Sequence, residues 1–150
     1  EALVAYRQQE GLSLEQDLTN QLEQIKAQLK SIAAQANKRI ATRKQKLEEQ
    51  LRQLTLDYDQ DRLEPELVFY LDKWDLNEEL VRLEPHLNYF QSNLDEKTPT
   101  KGKKLGFIAQ EMGREINTIG SKANDAELQK SVVSMKDALE RIKEQVLNSL

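Results

Sequence analysis

Apolar residues recur along this chain in alternating steps of four and three. Leu18, Leu22, Ile25, Leu29, Ile32 and Ala36 do so first, followed by Leu76, Leu80, Leu83, Leu87, Phe90 and Leu94. Leu128, Val132, Met135, Leu139, Ile142 and Val146 repeat the pattern near the end. Such spacing makes the heptad seam of amphipathic helices that pair along their length. Between the last two seams, Ile108, Ala109, Met112, Ile116 and Ile119 share one face of a further helix. No segment carries the period-two alternation of a strand. The pattern predicts an all-α fold.

Helix ends follow from the punctuation. From Leu12 to Leu63 there is neither Gly nor Pro, so a helix or helical pair fills the span. Its seam slips near Ile40 and resumes at Leu47, Leu51 and Leu54, which reads as a stutter. A straight helix here exceeds about 60 Å at 1.5 Å per residue. A break is expected at Asp57–Asp61, then a short helix opened by Pro65 and running to Lys73. Asp75-Leu-Asn-Glu78 has the form of a capping box. Pro85 predicts a kink beside His86, because its missing N–H removes the bond to Val81. A loop containing Pro99 joins the next helix, which stops between Gly120 and Asn124, and Asn124 or Asp125 caps the last one. Residues 1–63 form the expected arm or hairpin and 64–150 the helical body. The whole is an elongated bundle with a long coiled-coil-like arm, whose surplus seam predicts a homo-oligomer.

Composition narrows the partners. Apolar residues make up 38% of the chain and aromatic ones 5%, which is lean for a globule and suits long helices with narrow seams. No apolar run approaches the roughly 18–20 residues of a membrane span, so no membrane partner is expected. The lack of cysteine excludes disulfides and thiolate metal sites and fits a cytoplasmic location. The chain starts at Glu1 rather than Met, within a helical pattern, as a piece of a longer protein would. A net charge of -4 argues against polyanion binding by the whole surface, so local patches decide. Lys38, Arg39, Arg43, Lys44, Lys46 and Arg52 form one patch, and Lys101, Lys103 and Lys104 another. Either is a track for nucleic-acid phosphates or, more plainly, a solvated face balancing an acidic chain.

Candidate chemistry lies on two polar stripes. Glu79, Arg82, His86 and Tyr89 lie off the Leu seam of their helix, and His86 is the one histidine. Gln110, Arg114, Asn117 and Ser121 lie opposite the apolar face of the following helix, flanked by Thr118, with Glu111 and Glu115 along one edge. Asn, Thr and Ser are poor helix formers, so three on one face suggest a use beyond solubility. If the two helices pair antiparallel, their stripes converge in a cleft. Carboxylates from Glu78, Glu79, Glu111 and Glu115 suit a hard ion such as Mn²⁺ or Mg²⁺. Arg82 and Arg114 suit a phosphate, and His86 a proton relay. The plainer reading is an inter-helix network that fixes register.

Two blocks of sequence carry a resemblance. Glu78-Glu-Leu-Val-Arg-Leu-Glu-Pro-His86 is followed by Gln110-Glu-Met-Gly-Arg-Glu-Ile-Asn-Thr-Ile-Gly-Ser-Lys122. Together they resemble the C-terminal half of the YicC/YloC family of bacterial proteins, over roughly residues 7–150 and most strongly from Asp75 onward. Glu78, Glu79, Arg82, His86, Gln110, Glu111, Arg114, Glu115, Asn117, Thr118, Ser121 and Lys122 fall at motif positions. Pro85, Gly106 and Gly113 depart from the usual pattern, which has an Asp at the Gly106 position.

The resemblance implies a divalent-metal-dependent endoribonuclease, homo-oligomeric, with RNA enclosed by the assembly and a further N-terminal domain. On that reading His86, Glu115, Arg114 and Asn117 are catalytic, and Glu78, Glu79, Glu111 and Glu115 hold the metal. Arg82, Lys122, Arg39, Arg43, Lys44, Lys103 and Lys104 then bind RNA. The rival is a non-catalytic helical oligomerisation module.

Overall fold

A computed structural model of the chain describes residues 2–54, 75–96, 101–123 and 125–148. It is all helix over these residues, apart from short joints. We label the helices α1 (Ala2–Leu54), α2 (Asn77–Asp95), α3 (Lys101–Lys122) and α4 (Ala126–Asn148). The expected break at Asp57–Asp61, the helix from Pro65 and the Pro99 loop lie outside the described residues.

The three seams meet in one core. Leu18, Leu22, Ile25, Leu29, Ile32 and Ala36 of α1 are buried with Leu83, Leu87 and Phe90 of α2, Ile108, Met112 and Ile116 of α3, and Val132, Met135 and Ile142 of α4. Each helix is antiparallel to its neighbours in chain order, and α4 closes the ring against α1. The result is an up-down-up-down four-helix bundle.

The stretch of α1 that carries the first seam packs into the body, and the helix extends beyond it as the expected elongated arm. Only its ends project. At 53 residues α1 runs about 80 Å, against about 35 Å for the 23 residues of α4. Beyond Ala36, Leu47 is only half-buried and lies outside the core. At the other end Leu3, Val4 and Leu12 are exposed.

Helix α3 approaches α4 across glycines. Gly106, Gly113 and Gly120 recur every seven residues and face Val146, Leu139 and Val132, which recur every seven in the opposite direction. A Cβ on Gly113 would meet Leu139 Cδ2 at 3.3 Å, and one on Gly120 would meet Val132 Cγ1 at 3.1 Å. Gly113 and Gly120 thus sit close against α4, whereas Gly106 leaves ordinary van der Waals space. Gln129 of α4 secures the turn by donating to the carbonyls of Gly120 (2.7 Å) and Ala123.

Local ends differ from expectation in one place. Helix α2 starts one residue later than a capping box at Asp75 requires. Asp75 Oδ1 does accept the Asn77 N–H at 2.9 Å, but Glu78 turns to Arg82 instead of back to Asp75. Asp125 meets its expectation, accepting from the Glu127 N–H at 2.8 Å. Helix α2 continues through Pro85, which is exposed, so the freed carbonyl of Val81 lies on the solvent side.

Candidate functional site on the α2–α3 seam

Two ties set how α2 lies along α3. Lys122 Nζ donates to Glu79 Oε1 at 2.7 Å and to the carbonyl of Asp75 at 3.2 Å. At the far end, Lys101 Nζ reaches the carbonyl of Leu94 at 3.3 Å and Glu15 of α1 at 3.0 Å. Counting inward from these ties, His86 is level with the stretch from Ala109 to Glu115. Helical spacing puts Glu111, Glu115 and Lys122 on one edge of α3, and Lys122 fixes that edge against α2. On α2, His86 lies two turns from Glu79 on the edge facing α3. Both His86 and Glu115 are half-buried, and neither has a hydrogen-bond or ion-pair partner among the described residues. The seam thus brings His86, Glu111 and Glu115 to one level, with Arg82 exposed beside them.

The remaining expected residues are placed otherwise. Glu79 is 3% exposed, with its second oxygen buried and unpartnered, so it serves as the counter-charge of Lys122. Lys122 is correspondingly engaged. Glu78 is exposed and paired with Arg82. Among the described residues no three His, Asp or Glu side chains gather closely enough to hold a metal ion. Among the described residues of one copy, no three of Glu78, Glu79, Glu111 and Glu115 gather at one point. Helical geometry separates them, because Glu78 and Glu79 point 100° apart and only one can face α3.

The amide and hydroxyl stripe turns outward instead of into a cleft. Gln110, Arg114, Asn117, Thr118 and Ser121 are all exposed. Arg114 Nε lies 3.6 Å from Glu111, with the Arg side chain 77% exposed. Thr118 and Ser121 donate their hydroxyls to the carbonyls of Arg114 and Asn117, at 3.0 and 3.1 Å.

Of the basic residues on α1, Arg39 binds Asp125 and Glu127 at the start of α4. Arg43 is half-buried and engaged, and Lys44 is exposed. Lys103 and Lys104 are exposed on α3. A groove that sequence reasoning did not find, of about 450 Å³, opens between α1 and α2 and includes Lys30, Asn37, Leu80, Glu84 and Asn88. It contains none of the expected site residues. Its lining mixes seam residues such as Leu29, Ala36 and Leu80 with polar neighbours, a signal too ordinary to detect in sequence.

Residues 32–149, which include the whole seam, match the family described as endoribonuclease YicC-like, C-terminal. The chain belongs to that family. It is 33% identical over 145 residues to a protein of Clostridioides difficile (strain 630) named "Probable endoribonuclease YicC", covering 95% of this chain and 49% of that protein. A protein of the same name from Haemophilus influenzae (strain Rd) is 30% identical over 145 residues, covering 97% of this chain and 50% of the relative. The chain thus spans about half the length of the curated relatives it matches. No helix among the described residues is long and apolar enough to cross a membrane.

Proposed function

We propose that this chain is the C-terminal part of a cytoplasmic endoribonuclease that cleaves RNA internally, with the α2–α3 seam as its reactive edge. Family membership over residues 32–149 carries the reading. The seam supports it chemically. His86, without a hydrogen-bond or ion-pair partner among the described residues, suits proton transfer to or from a reacting oxygen. Glu115, at a similar level on α3 by helical counting, offers a second proton acceptor. Arg82 and Arg114 flank the seam and suit the negative charge that builds on a phosphate under attack. Asn117 offers its amide from the adjoining outward stripe.

Divalent-ion dependence, on Mn²⁺ or Mg²⁺, is proposed for the longer protein only, with donors additional to those a single copy gathers. A homo-oligomer is one source of such donors, and the exposed Leu3, Val4 and Leu12 at the N-terminal end of α1 favour assembly.

The scaffold reading draws support from one observation, the commitment of Glu79, Lys122 and Arg39 to internal pairs. Full-length protein incubated with a structured RNA, with Mn²⁺ or Mg²⁺ and with chelator, separates the two. Internal cleavage lowered about 100- to 10,000-fold in His86→Ala, and strongly in Glu115→Gln, is expected for a reactive seam. Full activity in the double variant rejects the seam, and cleavage that survives complete chelation rejects the metal. If Glu115→Gln or Arg114→Ala instead melts the bundle or disperses an oligomer, the stripe is structural.

A further inference from the structure

The outward residues of α3 form one straight stripe with an unusual charge. Lys103, Phe107, Gln110, Arg114, Asn117 and Ser121 follow one another in steps of four and three, with Lys104 and Thr118 beside them. These are all the exposed residues of α3, and they comprise three cations and no carboxylate. Every other helix exposes several acids: Glu10, Glu23 and Glu49 on α1, Glu78 and Glu84 on α2, Glu127, Asp137 and Glu140 on α4. In a chain of net charge -4, this face stands apart.

Phe107 sits in the cationic half of the stripe and is 64% exposed. A single exposed Phe is ordinary. Its neighbours distinguish this one. Lys103 and Lys104 lie one turn before it and Gln110 one turn after, with Arg114 a further turn on. Thr118 and Ser121 spend their hydroxyl protons on their own helix. The side-chain donors left to the stripe are therefore Lys103, Lys104, Gln110, Arg114 and Asn117.

We propose that this stripe is a track for single-stranded RNA, with Phe107 as a stacking platform for one unpaired base. Lys103, Lys104 and Arg114 neutralise the flanking phosphates, and Gln110 and Asn117 hydrogen-bond base edges. An exposed ring among cations is how sequence-tolerant single-strand binders hold their ligand, because every base has a face to stack. A duplex offers this ring nothing to stack on. From Lys103 to Ser121 the track is about 27 Å long. Glu111 and Glu115 edge the same helix on its α2 side, so a strand on the track passes beside the seam.

The proposal rests on RNA being the substrate, and the test separates the two claims. Full-length protein is titrated against a short labelled unstructured oligoribonucleotide, and against the same sequence as a duplex. Phe107→Ala should weaken single-strand binding about 5- to 100-fold, and Phe107→Trp should keep it. In cleavage assays the loss should fall on KM and leave kcat alone. Lys103→Gln with Lys104→Gln should flatten the log–log salt slope by about 1.4. Unchanged single-strand affinity in Phe107→Ala, with RNA still bound and cleaved by the wild type, overturns the platform and leaves the RNA function standing. A changed oligomeric mass with unchanged affinity makes the face a protein interface and also overturns it. If the wild type binds no RNA, both claims fall.

Discussion

Replacing each glycine of the α3–α4 contact with alanine should give a graded series that changes sign along the helix. An interior helical Gly→Ala gains about 0.8–1 kcal/mol when nothing opposes the methyl group. At Gly106 the nearest atom to the new Cβ is Val146 Cγ1 at 4.0 Å, an ordinary contact, so the variant should be more stable by about 0.5–1 kcal/mol. At Gly113 the neighbour is Leu139 Cδ2 at 3.3 Å, the far end of a side chain that can shift. The two terms should nearly cancel there. At Gly120 the neighbour is Val132 Cγ1 at 3.1 Å, on a β-branched side chain stiff at χ1. Relief then requires the helices to part, and overpacking of this kind costs about 1–3 kcal/mol, more than the helical gain. Gly120→Ala should therefore destabilise by up to about 2 kcal/mol, net of the gain. Urea unfolding monitored by helical circular dichroism measures each value. Gly120→Ala combined with Val132→Ala should show a favourable coupling near 1 kcal/mol, because the second change removes the obstructing methyl. A Gly120→Ala variant as stable as Gly106→Ala would refute the view that glycine sets the α3–α4 spacing.

Two further variants probe the ties between helices. Lys122→Met leaves the Glu79 carboxylate buried without its counter-charge, and should cost about 1–3 kcal/mol in urea unfolding, since Lys122 itself is only partly enclosed. An unchanged midpoint would mean that Glu79 finds another partner. Arg39→Ala should cost about 1 kcal/mol or less, and the loss should shrink as salt rises, because Glu127 is largely exposed. A salt-independent loss would point to packing of the Arg39 stem instead.

The sequence alone determined that the chain is helical, where three seams lie, and which side of each helix is buried. Every seam position from Leu18 to Ala36 and from Leu128 to Val146 is buried as the heptad spacing required. Periodicity survives in sequence because burial selects residue type one position at a time. The family was legible too, because its polar motif residues fall in two contiguous blocks, Glu78–His86 and Gln110–Lys122. What periodicity cannot encode is which seam covers which. Only the tertiary structure decided that the α1 seam joins the core, that Gly113 and Gly120 lie close against α4, and that the amide stripe faces solvent. It also decided that Glu79 turns inward to Lys122 while Glu78 turns out to Arg82. Adjacent residues on a helix point 100° apart, so a shared motif does not place two carboxylates in one site. That choice belongs to the packing of α2 on α3, where a buried carboxylate is stable only beside a cation brought by another helix.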